Sequence, residues 1–173
     1  MLVSEEIFND TISLLSSDLN KDIDNIILNK LTKKYAGLCK DNSYILNNSI
    51  NILKRSLGRI ETNDNINYIK YDISYKCNTL SPQKTNIIDC YVNNINKMGI
   101  IAYIKIDDEY RISDNNFDNS PLIIIIPNDI INEGNININD INIEQKLQIE
   151  ILGTRIKYRN EKIQAAGKII EKI

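Results

Sequence analysis

The segment Gln148–Ile170, QIEILGTRIKYRNEKIQAAGKII, constrains the fold of this chain more than any other. Ile149, Ile151, Ile156, Ile163 and Ile169 alternate mostly with polar residues, the two-residue period of a strand with one buried face. A charged turn separates an opening strand from a closing one. Gly153 interrupts the first run as a bulge or bend does. Ala165-Ala166-Gly167 gives the second run little side-chain volume, as a strand needs where it passes close to a neighbour in a closing barrel. Upstream, Asp89–Lys105 (DCYVNNINKMGIIAYIK) reads as a strand, an Asn-Lys turn, a glycine and another strand.

Composition decides whether such strands can bury a core. The chain holds 37 isoleucines and 26 asparagines, and 42% of its 173 residues are hydrophobic. Asparagine-rich tracts are often disordered. Here asparagine is interleaved with isoleucine at strand spacing, so a packed core is expected and the bias is that of AT-rich coding. Charge is nearly even: 21 basic and 23 acidic residues, formally −2. Divided at Ser81, the totals are 10 basic and 10 acidic before it, 11 and 13 after it. Neither half is a polycation, which argues against tight, non-specific binding of duplex DNA.

The available chemistry is narrow. With no histidine, Ser-His and Cys-His catalysis and histidine metal sites are excluded. Cys39, Cys77 and Cys90 form no CxxC, so a structural zinc site lacks ligands; they are expected as core thiols in a reducing compartment. Asp107-Asp108-Glu109 has the carboxylates for Mg²⁺, but three adjacent acids in a polar loop are more often a solvated turn. No metal, no cofactor and no catalytic residue is expected. The N-terminus, MLVSEEIFND, is acidic and lacks a long apolar run, unlike a signal peptide. The longest apolar run, Leu122–Ile126 between Pro121 and Pro127, is too short to span a bilayer. No membrane partner is expected. Asn9-Asp10-Thr11 and Asn47-Asn48-Ser49 read as chance matches to the glycosylation pattern.

Along the chain, Ile7–Leu15 reads as a strand. Ser16–Asn20 offers N-caps. Leu19, Ile23, Ile26, Ile27, Leu31 and Tyr35 then recur at helical spacing, with Lys21, Asp22, Asn25, Asn29, Lys33 and Lys34 mostly opposite. The pattern predicts an amphipathic helix of about four turns, closed by Gly37. Leu38–Lys40, Tyr44–Lys54 and Ile66–Lys76 read as strands. Asn78–Lys84 contains Pro82 and no period, and marks a boundary between domains 1–80 and 81–173. Beyond it Ile87–Ile95, Ile100–Ile106 and Leu122–Ile126 read as strands, and Asp107–Ser120 and Asn132–Gln145 as loops. The class is α+β, a helix-bearing half followed by an all-β half.

The segments Asp89–Lys105 and Gln148–Ile170 look like the first, second, fourth and fifth strands of a five-stranded OB barrel. Three stretches carry a closer resemblance. Asn94–Ile100 sets a polar-Lys step before an apolar residue and Gly99. Ile149–Ile156 has the form apolar-x-apolar, then Gly-Thr-Arg. Ala165–Ile169 is a small-residue closing strand. In this order they resemble the stalk subunit of DNA-dependent RNA polymerases. That family comprises the seventh-largest subunit of RNA polymerase II and its archaeal and large-DNA-virus counterparts. Leu31–Gly37 and Lys54–Ile60 fit the family's first half, so the resemblance covers nearly the whole chain. It implies a truncated ferredoxin-like tip domain followed by an OB-fold domain. It also implies docking on the large polymerase subunits through the Gly-containing loop with Lys54, Arg55, Leu57, Gly58 and Arg59. Further implied partners are nascent single-stranded RNA and, in cellular members, a companion stalk subunit. The Ile/Asn bias and shortened loops look more like the viral members, which implies the host cytoplasm (a viral factory) and the virion; a cellular source would imply the nucleus.

OB domains bind single strands by stacking bases on aromatic side chains in a cationic groove. Tyr91, Lys97, Tyr103, Arg155, Lys157 and Arg159 are the RNA-binding candidates, with Tyr158 beside them. The opposed reading has each tyrosine filling barrel surface, each cation serving solubility, and Arg155 pairing with Glu150 or Glu161. Met98 and Ile101 flank the first-hairpin glycine where strong RNA binders carry aromatics, so weak, sequence-independent contact is expected. In the tip loop, Gly58 reads as a turn needing special backbone angles and Leu57 as an apolar plug; the alternative is a plain exposed hairpin end. The function expected is a non-catalytic polymerase stalk subunit. The alternatives are a free-standing OB-fold RNA-binding protein and a protein-only assembly module.

Overall fold

The computed structural model describes residues 2–19, 22–133 and 137–173; Asn20 and Lys21 of the expected helix start, and part of the 132–145 loop, lie outside them. The first half contains β1 (Val3–Leu15), α1 (Ile23–Tyr35), β2 (Cys39–Lys40), β3 (Ser43–Ile45), β4 (Asn51–Arg55), β5 (Arg59–Asn63) and β6 (Ile66–Leu80). The aromatic and β-branched run of β6 makes it the spine of the sheet. β1 pairs antiparallel with it from Val3↔Leu80 to Leu15↔Tyr68. The other edge of β6 is tiled by short strands: β5 along Ile66–Lys70, β4 along Ile73–Lys76 and β3 at Thr79 and Leu80. β1 and β4 therefore run parallel on opposite edges of β6.

α1 covers one face of this sheet. Ile27, Leu31 and Tyr35 recur at four-residue spacing and are buried, in one apolar core with Ile12, Leu14, Ile73 and Tyr75. The helix begins at Ile23 with Asp22 in the N-cap position; Leu19, outside it, packs on the same core. Gly37, at φ +76°, makes the left-handed turn that ends it. Its N–H donates to the Ile45 carbonyl at the end of β3 at 2.9 Å, and the chain then enters β2.

Three expectations change. Tyr44–Lys54 is two strands, because the chain turns between β3 and β4 with Asn48 at φ +57° and the Ser49 hydroxyl donating to the Leu46 carbonyl at 2.7 Å. Lys54–Ile60 is not a hairpin end: β4 and β5 lie in line along β6 with an interruption at 56–58. The hairpin end is Asp64-Asn65, at φ +50° and +62°, a two-residue turn whose twist suits the strands it joins. β6 also runs through Leu80, so Asn78–Leu80 of the expected boundary are strand.

The second half contains β7 (Ile87–Asn96), β8 (Gly99–Tyr103), β9 (Leu122–Pro127), α2 (Asn128–Glu133), β10 (Lys146–Arg155) and β11 (Ile163–Lys172). The strands close a barrel in the order β7-β8-β9-β11-β10 and back to β7, with β9 and β11 parallel. This order is compatible with an OB-fold. Inward residues such as Val92, Ile100, Ile124, Leu147, Ile149 and Ile163 are fully buried; each removes apolar surface worth about 1.5–3 kcal/mol relative to exposure. The Gly153 bulge is present: Ile151 pairs with Gly167 and Gly153 with Ala166, leaving Leu152 unpaired on that edge. At Gly167 a Cβ would lie 2.8 Å from Ile149 Cδ1 and 3.1 Å from Ile124 Cγ2, which accounts for the small residues of the closing strand. The short helix α2 has no counterpart in the sequence reading, since six residues are too few to display a period.

The two sheets touch. The barrel core takes in Cys39, Tyr44, Leu46 and Leu80 from the first half. The Asn78 side-chain amide donates to the Tyr110 hydroxyl at 2.8 Å, and that of Asn48 to the Glu109 carbonyl at 3.2 Å. No described helix is long and apolar enough to cross a membrane.

Candidate functional site

Strand pairing sets several barrel candidates on one line. Tyr91 pairs with Tyr103, Tyr103 with Ile123, Ile123 with Gln164, and Gln164 with Arg155. Their chain neighbours Cys90, Ala102, Ile124 and Ala165 point into the core, so this line faces outward. At about 4.8 Å per strand it covers about 19 Å of barrel surface.

The tyrosine end of the line is covered. The Tyr91 and Tyr103 rings are 6.0 Å apart, and the Lys105 ammonium sits 3.9 Å above Tyr91. Phe117, from the loop between β8 and β9, stands edge-on to Tyr103 at 6.2 Å, with the Lys162 ammonium 5.1 Å above its ring. Tyr103 is only 3% exposed, and its hydroxyl donates to the Glu144 carboxylate at 3.1 Å. Burial first, then Glu144, raises its phenol pKa above the ordinary value. Tyr103 thus presents no ring face to a base, and Tyr91 is half-buried beneath Lys105. The cover was not legible in the sequence, because Phe117 lies in an irregular loop. Tyr158, 60% exposed, is the open ring of the set, with the Arg159 guanidinium 5.8 Å from it.

Ion pairs occur in both halves, and in the second Arg111, Lys146 and Lys172 are held by Asp108, Asp89 and Asp140. In the first, Lys34, Arg55, Arg59, Lys70 and Lys76 are held by Asp10, Asp24, Asp72, Glu61 and Glu5. In the second, Lys97, Arg155, Lys157 and Arg159 form no ion pair among the described residues, so Arg155 is not tied to Glu150 or Glu161. Arg155, Lys157 and Arg159 gather at the β10–β11 turn. Lys97 stands apart: its turn adjoins Gly99, which pairs with Pro127 at one end of β9, while Leu122 at the other end pairs with Ile163 after the β10–β11 turn. In OB barrels generally, turns at these two places flank the face that takes single strands. Arg159 itself is fixed in backbone: at φ +62°, its N–H donates to the Cys39 carbonyl at 2.7 Å.

The docking candidates surround the 56–58 interruption. Leu57 is 90% exposed, and Lys54 is exposed without an ion pair among the described residues. Arg55 Nε donates to Asp24 at 2.6 Å and its guanidinium lies 5.3 Å from the Tyr71 ring. Arg59 Nη2 donates to both Asp72 oxygens, at 3.1 and 3.0 Å. Gly58 does not have the left-handed angles expected of it. It is needed for close approach instead, since a Cβ there would lie 2.5 Å from Ile69 Cγ2 and 3.0 Å from the Tyr71 ring. The structure adds apolar neighbours that sequence reasoning passed over: Ile60, 74% exposed, and the exposed Leu53 and Ile66. Strand periodicity had pointed only at buried faces.

Asp108 pairs with Arg111 at 3.0 Å within a short turn. All three cysteines are buried; burial pushes the Cys39 thiol up to about 11 and those of Cys77 and Cys90 to about 12.

No protein-family model matches the chain. It is 27% identical over 174 residues to a protein of Acanthamoeba polyphaga mimivirus provisionally named as a DNA-directed RNA polymerase subunit, a match covering 94% of this chain and 79% of that protein. A match of that extent takes in both sheets, and makes the chain a distant relative of that viral protein.

Proposed function

We propose that this chain is a non-catalytic stalk subunit of a viral multisubunit DNA-dependent RNA polymerase, working in the host cytoplasm. Residues 1–80 dock on the large subunits, and residues 81–173 contact nascent single-stranded RNA. The observation that carries this reading is the 27% identity to the mimivirus protein over 94% of the chain, a length that includes both halves. The fold supports it. Two parallel strands flanking an antiparallel one beneath a helix suit a truncated ferredoxin-like tip, and the barrel order suits an OB domain.

Charge supports the division of labour. In the first half Lys34, Arg55, Arg59, Lys70 and Lys76 are held in ion pairs, and docking rests on Leu57, Gly58 and Lys54 with Ile60 beside them. Arg55 and Arg59 contribute by exchanging exposed ion pairs worth at most about 1 kcal/mol each. The barrel half keeps Lys97, Arg155, Lys157 and Arg159 without ion pairs among the described residues, available for phosphates. Tyr158, and Tyr91 once Lys105 swings away, are the stacking residues.

Affinity purification of the tagged chain from cells producing the polymerase tests the reading. The two largest polymerase subunits are expected with it. Recovery with ribosomes or RNA alone would instead favour the free-standing RNA-binding protein.

A further inference from the structure

A cleft beside the junction of the two halves gathers two cations of the second half, with Asn42 of the first half at its edge. It opens where β6 hands over to β7 and where β10 ends, and has a volume of about 550 Å³. Lys84, from the connecting segment, and Arg155, from the end of β10, line it together with Asn42, Ser81, Gln83 and Thr154. No carboxylate lines it among the described residues. Both cations are exposed, and neither forms an ion pair among the described residues. An arginine fork, a lysine and neutral hydroxyl and amide groups are the donor set that fits a phosphodiester, which offers only acceptors. The cleft also has a direction. Arg155 ends the outward line that begins at Tyr91 and crosses the barrel through Tyr103, Ile123 and Gln164.

We infer that Lys84 and Arg155 clamp the backbone phosphate of a single RNA strand in this cleft, where the strand leaves the barrel surface and passes between the halves. This rests on the RNA-contacting reading above and adds to it a residue, Lys84, outside the barrel strands. Lys84 is carried by the connecting segment and Arg155 by the end of β10, and the Thr85 N–H and the Asn86 carbonyl tie that segment to Ile151 of β10, so both donors share one frame.

The test is a salt titration of a fluorescent single-stranded RNA oligomer against the full chain, the double variant Lys84→Gln/Arg155→Gln and the control Lys33→Gln. Lys33 is an exposed cation of α1 away from this cleft. All the altered residues are solvent-exposed, so the variants are expected to keep the wild-type melting temperature. Loss of one or two phosphate contacts should make the slope of log K against log salt shallower by about 0.7 to 1.4 in the double variant, with no such change in Lys33→Gln. The loss should be the same for oligomers of different sequence. If wild type binds RNA and the double variant keeps its slope, the clamp is wrong while the RNA reading stands. If wild type binds no RNA even at low salt, both fall.

Discussion

Cys39 and Arg159 are joined through their backbones: the Arg159 N–H donates to the Cys39 carbonyl at 2.7 Å, and the Cys39 N–H donates to the next carbonyl, that of Asn160, at 2.8 Å. This reciprocal pair works like a short piece of β-ladder between the first half and the β10–β11 turn. The turn is therefore fixed in the frame of the first sheet, while Lys157, Tyr158 and Arg159 are exposed. Arg159 holds φ +62° to make the contact, a conformation that costs an L-residue roughly 1–2 kcal/mol. Arg159→Gly should therefore fold at least as stably as wild type, and Arg159→Val, whose β-branch makes a positive φ harder still, should be less stable than wild type. Thermal unfolding of the two variants checks the order.

The barrel glycines should rank by what surrounds them. At Gly99, φ is +138° and a Cβ would lie 2.0 Å from the Ile126 carbonyl oxygen, a backbone atom that cannot step aside. At Gly167 the nearest atoms belong to isoleucine side chains, which can shift, for a cost of about 1–3 kcal/mol. At Gly153 nothing lies within 4 Å. Gly99→Ala should be the most damaging, Gly167→Ala intermediate and Gly153→Ala near neutral, as read from denaturant midpoints.

The thiols should be silent in the folded chain. Burial raises the pKa values of Cys39, Cys77 and Cys90, so the reactive thiolate is scarce at neutral pH. A thiol reagent should label all three only at the rate of unfolding. The raised values favour the protonated thiols in the fold. Their contribution to stability is complete below the unfolded thiol range, near pH 8.5, and declines as pH rises toward the folded values. Labelling of native protein faster than unfolding would contradict this placement.

How much was legible depended on periodicity. The barrel strands, the Gly153 bulge and the tight closing strand follow from alternation and residue size, so Gln148–Ile170 could be read closely. The interruption at 56–58 could not, because Gly58 is there for approach to Ile69 and Tyr71, which are more than ten residues away in sequence. The same limit hid the cover over Tyr103. Its ring looks like a stacking platform on an exposed strand face until Phe117 arrives from a loop without a period. Strand positions can be counted along a chain, whereas what a distant loop lays upon them cannot.

Tyr158 and Tyr103 should separate in their effects. Tyr158→Ala is expected to weaken single-stranded RNA binding by about 1–3 kcal/mol and leave the melting temperature unchanged. Tyr103→Ala is expected to lower stability by about 3–5 kcal/mol, as for other buried aromatics. RNA titration alongside thermal unfolding distinguishes them; equal effects of the two on RNA binding at constant stability would mean that Phe117 leaves the ring in solution.

The most direct measurement of the central claim is lysine cross-linking with mass spectrometry on the purified polymerase, stalled with a nascent transcript. Lys54, exposed in β4 of the first sheet near Leu57, should link to the large polymerase subunits, and Leu57→Asp should abolish those links while leaving the barrel able to bind RNA. Lys157 on the barrel should become shielded when the transcript is long enough to reach it, and reactive again after ribonuclease treatment. An enzyme preparation without this chain, or one in which the Lys157 end links to the large subunits while Lys54 stays free, would contradict the account.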